Sequence, residues 1–237
     1  MKKVQQHYDE VAAIYDQRYD REKGRQYYGH ISRQVMAGLT QGGLLLDIGC
    51  GTGLFIERYL GSGNEAVGID ISRGMIARAR TRCPESEFLV GTAELLPFQA
   101  NTFDAVVSLL AFSYLQHPEA VIKDVYRILR PGGKLALCTL GKNVLTSVVP
   151  ALYWLGEKME LRKIGVGDFD ERYYTEEEMH HLLSSAGFTE LSVKRCSFAH
   201  VSLAKPIFHI AKKMEPFVEE RMPYLAYNLC ANGIKPE

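Results

Sequence analysis

The chain has 237 residues, 46% hydrophobic and 24% charged, which is ordinary for one α/β domain with a full core. Lys+Arg and Asp+Glu stand at 28 each, so the basic excess that marks a protein gripping a nucleic-acid backbone is missing, and nucleic acid is not an expected partner. The opening "MKKVQQHYDE" has no apolar core behind its lysines and no apolar run is long enough to span a bilayer, so the expectation is a cytoplasmic protein without a membrane span.

In chain order, residues 1–40 carry two amphipathic helical patterns, "HYDEVAAIYDQRY" and "RQYYGHISRQVMAGL". From about residue 44 to 140, short apolar runs ("LLLDIG", "AVGIDIS", "SEFLVG", "FDAVVSL", "KLALCTL") alternate with helical spacing ("LFIERYL", "RGMIARARTR", "PEAVIKDVYRILRPGG"). That alternation predicts a doubly wound parallel sheet, and continuously apolar strands fit burial on both faces. Pro118 and Pro131-Gly132-Gly133 bracket one of these helices. Residues 141–174 are long for a connection and rich in aromatics (Tyr153, Trp154, Phe169, Tyr173, Tyr174). "TEEE" at 175–178 is a capping box for a helix stopping at Gly187. Strand-like runs at 188–198 and 224–231 enclose a further helix at 203–223.

The organisation expected is one domain over 1–237: an N-terminal helical cover (1–40), a cofactor-binding core (41–140), an insert completing the cover (141–174) and the rest of the sheet (175–237). The five cysteines (Cys50, Cys83, Cys138, Cys196, Cys230) are scattered and form no C-x-x-C pair, which reads as reduced, buried thiols with no metal site.

"LLLDIGCGTG" raises the functional question. Its first strand ends near Asp47, and Gly49, Gly51 and Gly53 form the wall of the crevice at the strand ends, where open α/β sheets bind ligands. A dinucleotide turn has G-x-G-x-x-G, but here the third glycine position is Leu54, and Asp47 would repel a pyrophosphate. No Gly-Lys-Ser/Thr follows, so a triphosphate loop is excluded. At the second strand tip, Asp70 of "GIDIS" suits the two hydroxyls of a ribose. A nucleoside without phosphates and with a cationic amino-acid tail satisfies both acids, and S-adenosylmethionine is such a molecule.

"LLLDIGCGTG", "GIDIS", "GTAELLPF", "FDAVVSLLAFSYL" and "ILRPGGKL" together resemble, in order and spacing, the motifs of class I S-adenosylmethionine-dependent methyltransferases over about residues 40–200. The chain is similar to their small-molecule branch, of ubiquinone/menaquinone-biosynthesis type, and "DERYYTEEEMHHLLSSAGF" resembles the same branch. The resemblance implies a Rossmann-like, mostly parallel seven-stranded sheet and S-adenosyl-L-methionine as cofactor. It places Gly49, Gly51 and Gly53 along the methionine portion, Asp47 near its ammonium, and Asp70, Ile71 and Met75 at the second strand tip and the helix after it. It sets Thr92, Ala93 and Glu94 near adenine, with Thr92 where the family usually has an acid, and Ser108 and Leu109 near the transferable methyl. Tyr15 is the expected cofactor contact from the N-terminal helices, beside Tyr8 and Tyr19.

The sulfonium is already activated, so the protein mainly aligns an acceptor and excludes water. Should a base be needed, His117 and Tyr114 are candidates, with His7 and His30 behind them; Arg33 is a candidate for the methionine carboxylate. "SLLAF" replaces the Asn/Asp/Ser-Pro-Pro-aromatic motif of base-amino methyltransferases, and only Cys50 lies near the site, which argues against arsenic as acceptor. A small-molecule acceptor is expected. A non-catalytic cofactor sensor, an RNA or protein methyltransferase, a nicotinamide dehydrogenase and a homodimer stay open at this level.

Overall fold

The computed structural model describes residues 2–39, 42–61, 63–143, 171–201 and 203–237. Seven strands form one sheet in the order β3-β2-β1-β4-β5-β7-β6. They are β1 (Leu44–Ile48), β2 (Glu65–Asp70), β3 (Glu87–Val90), β4 (Phe103–Leu109), β5 (Leu129–Leu140), β6 (Thr189–Cys196) and β7 (Asn228–Ile234). β7 alone runs against its neighbours, inserted between β5 and β6. After β3 the chain returns to lay β4 on the other side of β1, so the strand order reverses between β1 and β4 and leaves a crevice at their carboxyl ends.

Successive residues of β1 feed opposite layers. Leu45 packs in a core with Tyr28, Ile31, Phe55 and Ile76, whereas Leu46 packs with Val121, Ile122, Met179 and Leu183. The first layer is built by α3 (Glu22–Met36), α4 (Leu54–Leu60) and α5 (Arg73–Arg82), the second by α6 (Pro118–Ile128) and α7 (Glu176–Ser185). Burial on both faces explains why the strands read as unbroken apolar runs. α7 opens on the expected capping box, with Thr175 Oγ1 accepting from the Glu178 amide at 3.1 Å and Glu178 Oε2 accepting from the Thr175 amide at 2.8 Å.

Two expectations change, and part of a third lies outside the described residues. The first amphipathic pattern is not one helix: α1 (Lys2–Val11) ends in a turn, and α2 (Gln17–Asp20) follows at once. Asp16 sits in that turn and bonds to other elements, so tertiary contacts break a periodicity that the sequence continues. Pro131-Gly132-Gly133 does not end α6, because β5 already begins at Leu129 and carries those residues as a bulge. Gly132, at φ +74°, donates its amide to the Lys235 carbonyl, and this ties the bulge to the chain beyond β7. Of the insert at 141–174, residues 144–170 lie outside the described residues, and with them that half of the expected cover.

The predicted 203–223 helix is α8 (Lys205–Arg221). The cysteines scattered in sequence are partly gathered in space. Cys138, Cys196 and Cys230, on β5, β6 and β7, bring their sulfurs within 4.8 Å of one another, and all five cysteines are free thiols.

Candidate functional site

The glycine turn is held by the tip of the neighbouring strand. The amides of Gly49 and Cys50 both donate to the Ile69 carbonyl, at 2.8 and 3.2 Å, and the Gly51 amide donates to Asp70 Oδ2 at 2.9 Å. Asp70 Oδ1 accepts from the Ser72 amide at 2.8 Å, so two backbone amides orient this carboxylate. At Gly49 (φ +74°) a β-carbon would come within 2.2 Å of the Ala111 methyl, which excludes any side chain. At Gly51 (φ +53°) the nearest atom to such a carbon is Tyr15 Cε1 at 3.9 Å: the space beside this glycine is open.

That space belongs to a cavity at the carboxyl ends of β1, β2 and β4. Of the residues named from sequence, Tyr15, Gly49, Gly51, Asp70, Ile71, Met75, Ala93, Ser108, Leu109 and Tyr114 line it. The others do not. Gly53 (φ +81°) caps α4 and packs its backbone against Ala79 of α5. Thr92 Oγ1 accepts from the Glu94 amide, and Glu94 Oε1 accepts from the amides of Gln116 and His117, so both side chains serve the loops around the start of α6. His117 is exposed and occupies the N-cap position of α6, away from the cavity. His30 lies on α3 with Nε2 2.7 Å from Glu219 of α8, and Arg33 is exposed on α3. His7, beside Tyr8 on α1, does not line the cavity either.

Asp47 stands behind the wall. It is 2% exposed, and its Oδ1 has no hydrogen-bond partner among the described residues. Burial, and then the Asp70 carboxylate, push its pKa up to about 8. Burial also raises Asp70, against the amides of Ser72 and Gly51, which pull it down. Ser108 Oγ, at the tip of β4, is the second buried polar atom at this site without a partner among the described residues.

Three comparisons bear on this arrangement. The family model described as "Methyltransferase domain" matches residues 46–137. A demethylmenaquinone methyltransferase from Tropheryma whipplei (strain Twist) is 29% identical over 184 residues, covering 73% of this chain and 77% of that protein. A ubiquinone biosynthesis O-methyltransferase from Ruegeria pomeroyi is likewise 29% identical over 184 residues, covering 75% of this chain and 73% of its own length. In fold, the crystal structure of a SAM-dependent methyltransferase from Thermotoga maritima superimposes with a TM-score of 0.69 at 23% identity, over 98% of this chain and 99% of that one.

The chain belongs to the class I S-adenosylmethionine-dependent methyltransferases. Its cofactor is S-adenosylmethionine, and among the described residues no helix is long and apolar enough to cross a membrane.

Opposite the strand tips, the wall of this methyltransferase's cavity is phenolic. Tyr8, Tyr15 and Tyr19 form a chain of edge-on contacts with centroids 6.0 and 5.6 Å apart, and Tyr114 meets Tyr8 edge-on at 5.9 Å. The Tyr8 hydroxyl donates to the Tyr114 hydroxyl at 3.1 Å, and that of Tyr114 donates to Glu171 Oε1 at 3.2 Å. Burial, and then the Glu171 carboxylate, hold the Tyr114 phenol well above its ordinary pKa, so it stays protonated and donates a hydrogen bond to Glu171. His200, from the segment after β6, also lines the cavity, ring to ring with Tyr27 at 5.5 Å. Burial, and then the cations of Arg18 and Lys23, push His200 down to about 3, so its imidazole is neutral in the physiological range.

Sequence reasoning missed Arg18, Glu171 and His200 as lining residues. Arg18 sits inside the "YDQRYD" stretch singled out for its tyrosines, and Glu171 inside "DERYY". His200 carried no local signal: it follows β6, whose carboxyl end lies at the cavity side because β6 runs parallel to β5 across the antiparallel β7. Thr52, between two of the glycines, is 1% exposed and donates to Asp16 Oδ1 at 2.5 Å.

Proposed function

We propose that the methyltransferase binds S-adenosylmethionine along the glycine turn and passes its methyl group to a small, largely apolar acceptor held against the tyrosine wall. The observation that carries this reading is the Asp70 carboxylate, fixed at the β2 tip by the Gly51 and Ser72 amides and facing the cavity. Each carboxylate oxygen has lone-pair capacity beyond one amide bond, which suits it to the ribose hydroxyls. The open volume beside Gly51 fits a ligand that lies directly on backbone. The unpartnered buried atoms of Asp47 and Ser108 fit one that brings a cation and hydrogen-bonding groups.

In this reading Gly49 and Gly51 flank the methionine portion, Asp47 answers its positive charge through the turn, and Ile71, Met75 and Ala93 supply apolar contacts around the base. Leu109 and Ser108 stand where the methyl emerges. S-adenosylmethionine supplies a methyl group on a sulfonium, already primed for displacement. The protein's own contribution is alignment and exclusion of water by Tyr8, Tyr15, Tyr19 and Tyr114. A polar group on the acceptor would face the Tyr114–Glu171 pair, with Glu171 the acid-base partner in reach of that hydroxyl. The two relatives are named for demethylmenaquinone and for ubiquinone biosynthesis, which supports a small-molecule acceptor.

Asp70→Ala should weaken S-adenosylmethionine by about 2–3 kcal/mol, the range for a charge-assisted contact, while the fold survives. Titration calorimetry beside a thermal melt measures both. Unchanged affinity in a folded variant would remove Asp70 from the cofactor site.

A further inference from the structure

Three of the five cysteines meet on one face of the sheet. Cys138 of β5 stands directly opposite Cys230 of β7, and Cys230 stands opposite Lys194 of β6, two residues before Cys196. Side chains alternate along a strand, so all three thiols point to the same side, into the layer that holds Tyr28 and Ile31 of α3. Their sulfurs lie within 4.8 Å of one another, and Cys196 Sγ is 2.8 Å from Cys230 Sγ. Cys50 and Cys83 stand apart, each with its sulfur 3.8 Å from a backbone carbonyl of the glycine turn.

Thiols this close can share a metal ion or join in a disulfide, and the 2.8 Å contact favours the second. Two sulfurs bound to one zinc ion at about 2.3 Å in tetrahedral geometry stand about 3.8 Å apart. A disulfide needs about 2.05 Å, which this pair reaches by closing about 0.8 Å. Charge points the same way. Three thiolates around a divalent cation would leave a net negative charge against an apolar layer, whereas a disulfide beside a neutral thiol leaves none.

Access and acidity single out the sulfur that reacts first. Cys138 is 0% exposed and Cys196 2%, while Cys230 is half-buried. Hydrogen bonds from the Cys138 thiol and then the Cys196 thiol hold Cys230 below its ordinary pKa, against burial, which raises it. The thiol that solvent reaches is therefore the one that ionises.

We propose that Cys230 and Cys196 form a reversible thiol–disulfide site that hydrogen peroxide oxidises. The Cys230 thiolate attacks one peroxide oxygen, the O–O bond breaks, and the departing hydroxide takes up the proton that the thiol had released. Cys230 is then a sulfenic acid. The Cys196 sulfur attacks the Cys230 sulfur, the S–S bond forms, the S–O bond breaks, and water leaves with the Cys196 proton. Two thiols lose two electrons and one peroxide becomes two waters. The bridge ties β6 to β7 across 34 residues of chain and so restricts the unfolded state.

Mass-spectrometric mapping of the folded protein after peroxide treatment, without reductant, tests it. Free thiols should fall by two from the five of the reduced chain, and the linked peptides should hold Cys196 and Cys230. Dithiothreitol should restore both thiols. The oxidised form should melt about 5–10 °C higher, the scale for a loop of this length in a chain of this size. Cys138→Ala should keep the bridge and Cys196→Ala should lose it; if either variant fails to fold, the wild-type map decides. An unchanged thiol count or a bridge made by Cys138 would overturn the proposal. So would a melting temperature at or below the reduced value, which would mean that the bond forms only by distorting the sheet. Zinc retained at one ion per chain through dialysis, with all three thiols shielded, would make the cluster a metal site instead.

Discussion

Asp47 and Asp70 end adjacent strands, yet their surroundings give them different tasks. Asp70 is steadied by two amides, while Asp47 is buried with one oxygen unpartnered among the described residues, and burial together with Asp70 pushes it up to about 8. The folded protein therefore holds a proton there that the unfolded chain releases at the ordinary aspartate value, about 4. Between those two values stability is lost as pH rises, and the loss levels off above about pH 8, when both states are ionised. Asp47→Asn has nothing to ionise. Its melting temperature relative to the wild type, without cofactor, should climb steadily from pH 5 to pH 8. An offset that does not change with pH would mean that Asp47 is already ionised in the folded protein at pH 5. The positions of both acids were legible in the sequence, because an acid that closes a short apolar run marks the strand's tip. The difference in their electrostatics was not, since it depends on what packs around them.

Among the elements, the turn between α1 and α2 joins the N-terminal helices to the glycine turn. Asp16 accepts from Thr52 Oγ1 and pairs with Arg82 at 2.7 Å; Arg82 also donates to the Thr52 carbonyl and pairs with Glu57 at 2.9 Å. Earlier in α1, Asp9 accepts from Ser72 Oγ at 2.6 Å and from the Gly74 amide at 3.0 Å. Two acids thus pin the N-terminal segment bearing Tyr8, Tyr15 and Tyr19 to the glycine turn and to α5, which follows Asp70. Asp16→Ala should cost about 1–3 kcal/mol of stability, because it leaves a half-buried guanidinium and a buried hydroxyl short of a partner. It should also weaken S-adenosylmethionine binding. Denaturant unfolding and calorimetry check the two effects; a stability loss with unchanged binding would show that this anchor does not shape the cavity. The sequence hid this turn, since Val11, Tyr15 and Tyr19 continue a helical spacing across it. The bulge in β5 was hidden for the opposite reason: Pro131-Gly132-Gly133 reads as a helix stop, and only pairing with the segment after β7 makes it part of a strand.

Across the whole molecule, the cavity is assembled from chain segments that are far apart in sequence. Strand tips from the first half supply the glycine turn, Asp70 and Ser108, while the tyrosine wall comes from the N-terminus and from Tyr114, Glu171 and His200. The first set was legible because each strand announces its end locally. Glu171 and His200 were not: Glu171 is brought there by the pairing of its neighbours Arg172 and Tyr174 with Ser113 and Leu140, and His200 by β6 running parallel to β5 across β7, and no nearby residue records either. On this arrangement the cofactor lies between the two sets of walls. Hydrogen exchange with and without S-adenosylhomocysteine, at a protein concentration where the oligomeric state does not change, tests it most directly. Exchange should slow at 49–53 and 70–75 and across the N-terminal segment at 4–20, increasingly with ligand occupancy. Saturated ligand with unchanged exchange in both the glycine turn and the N-terminal helices would contradict it.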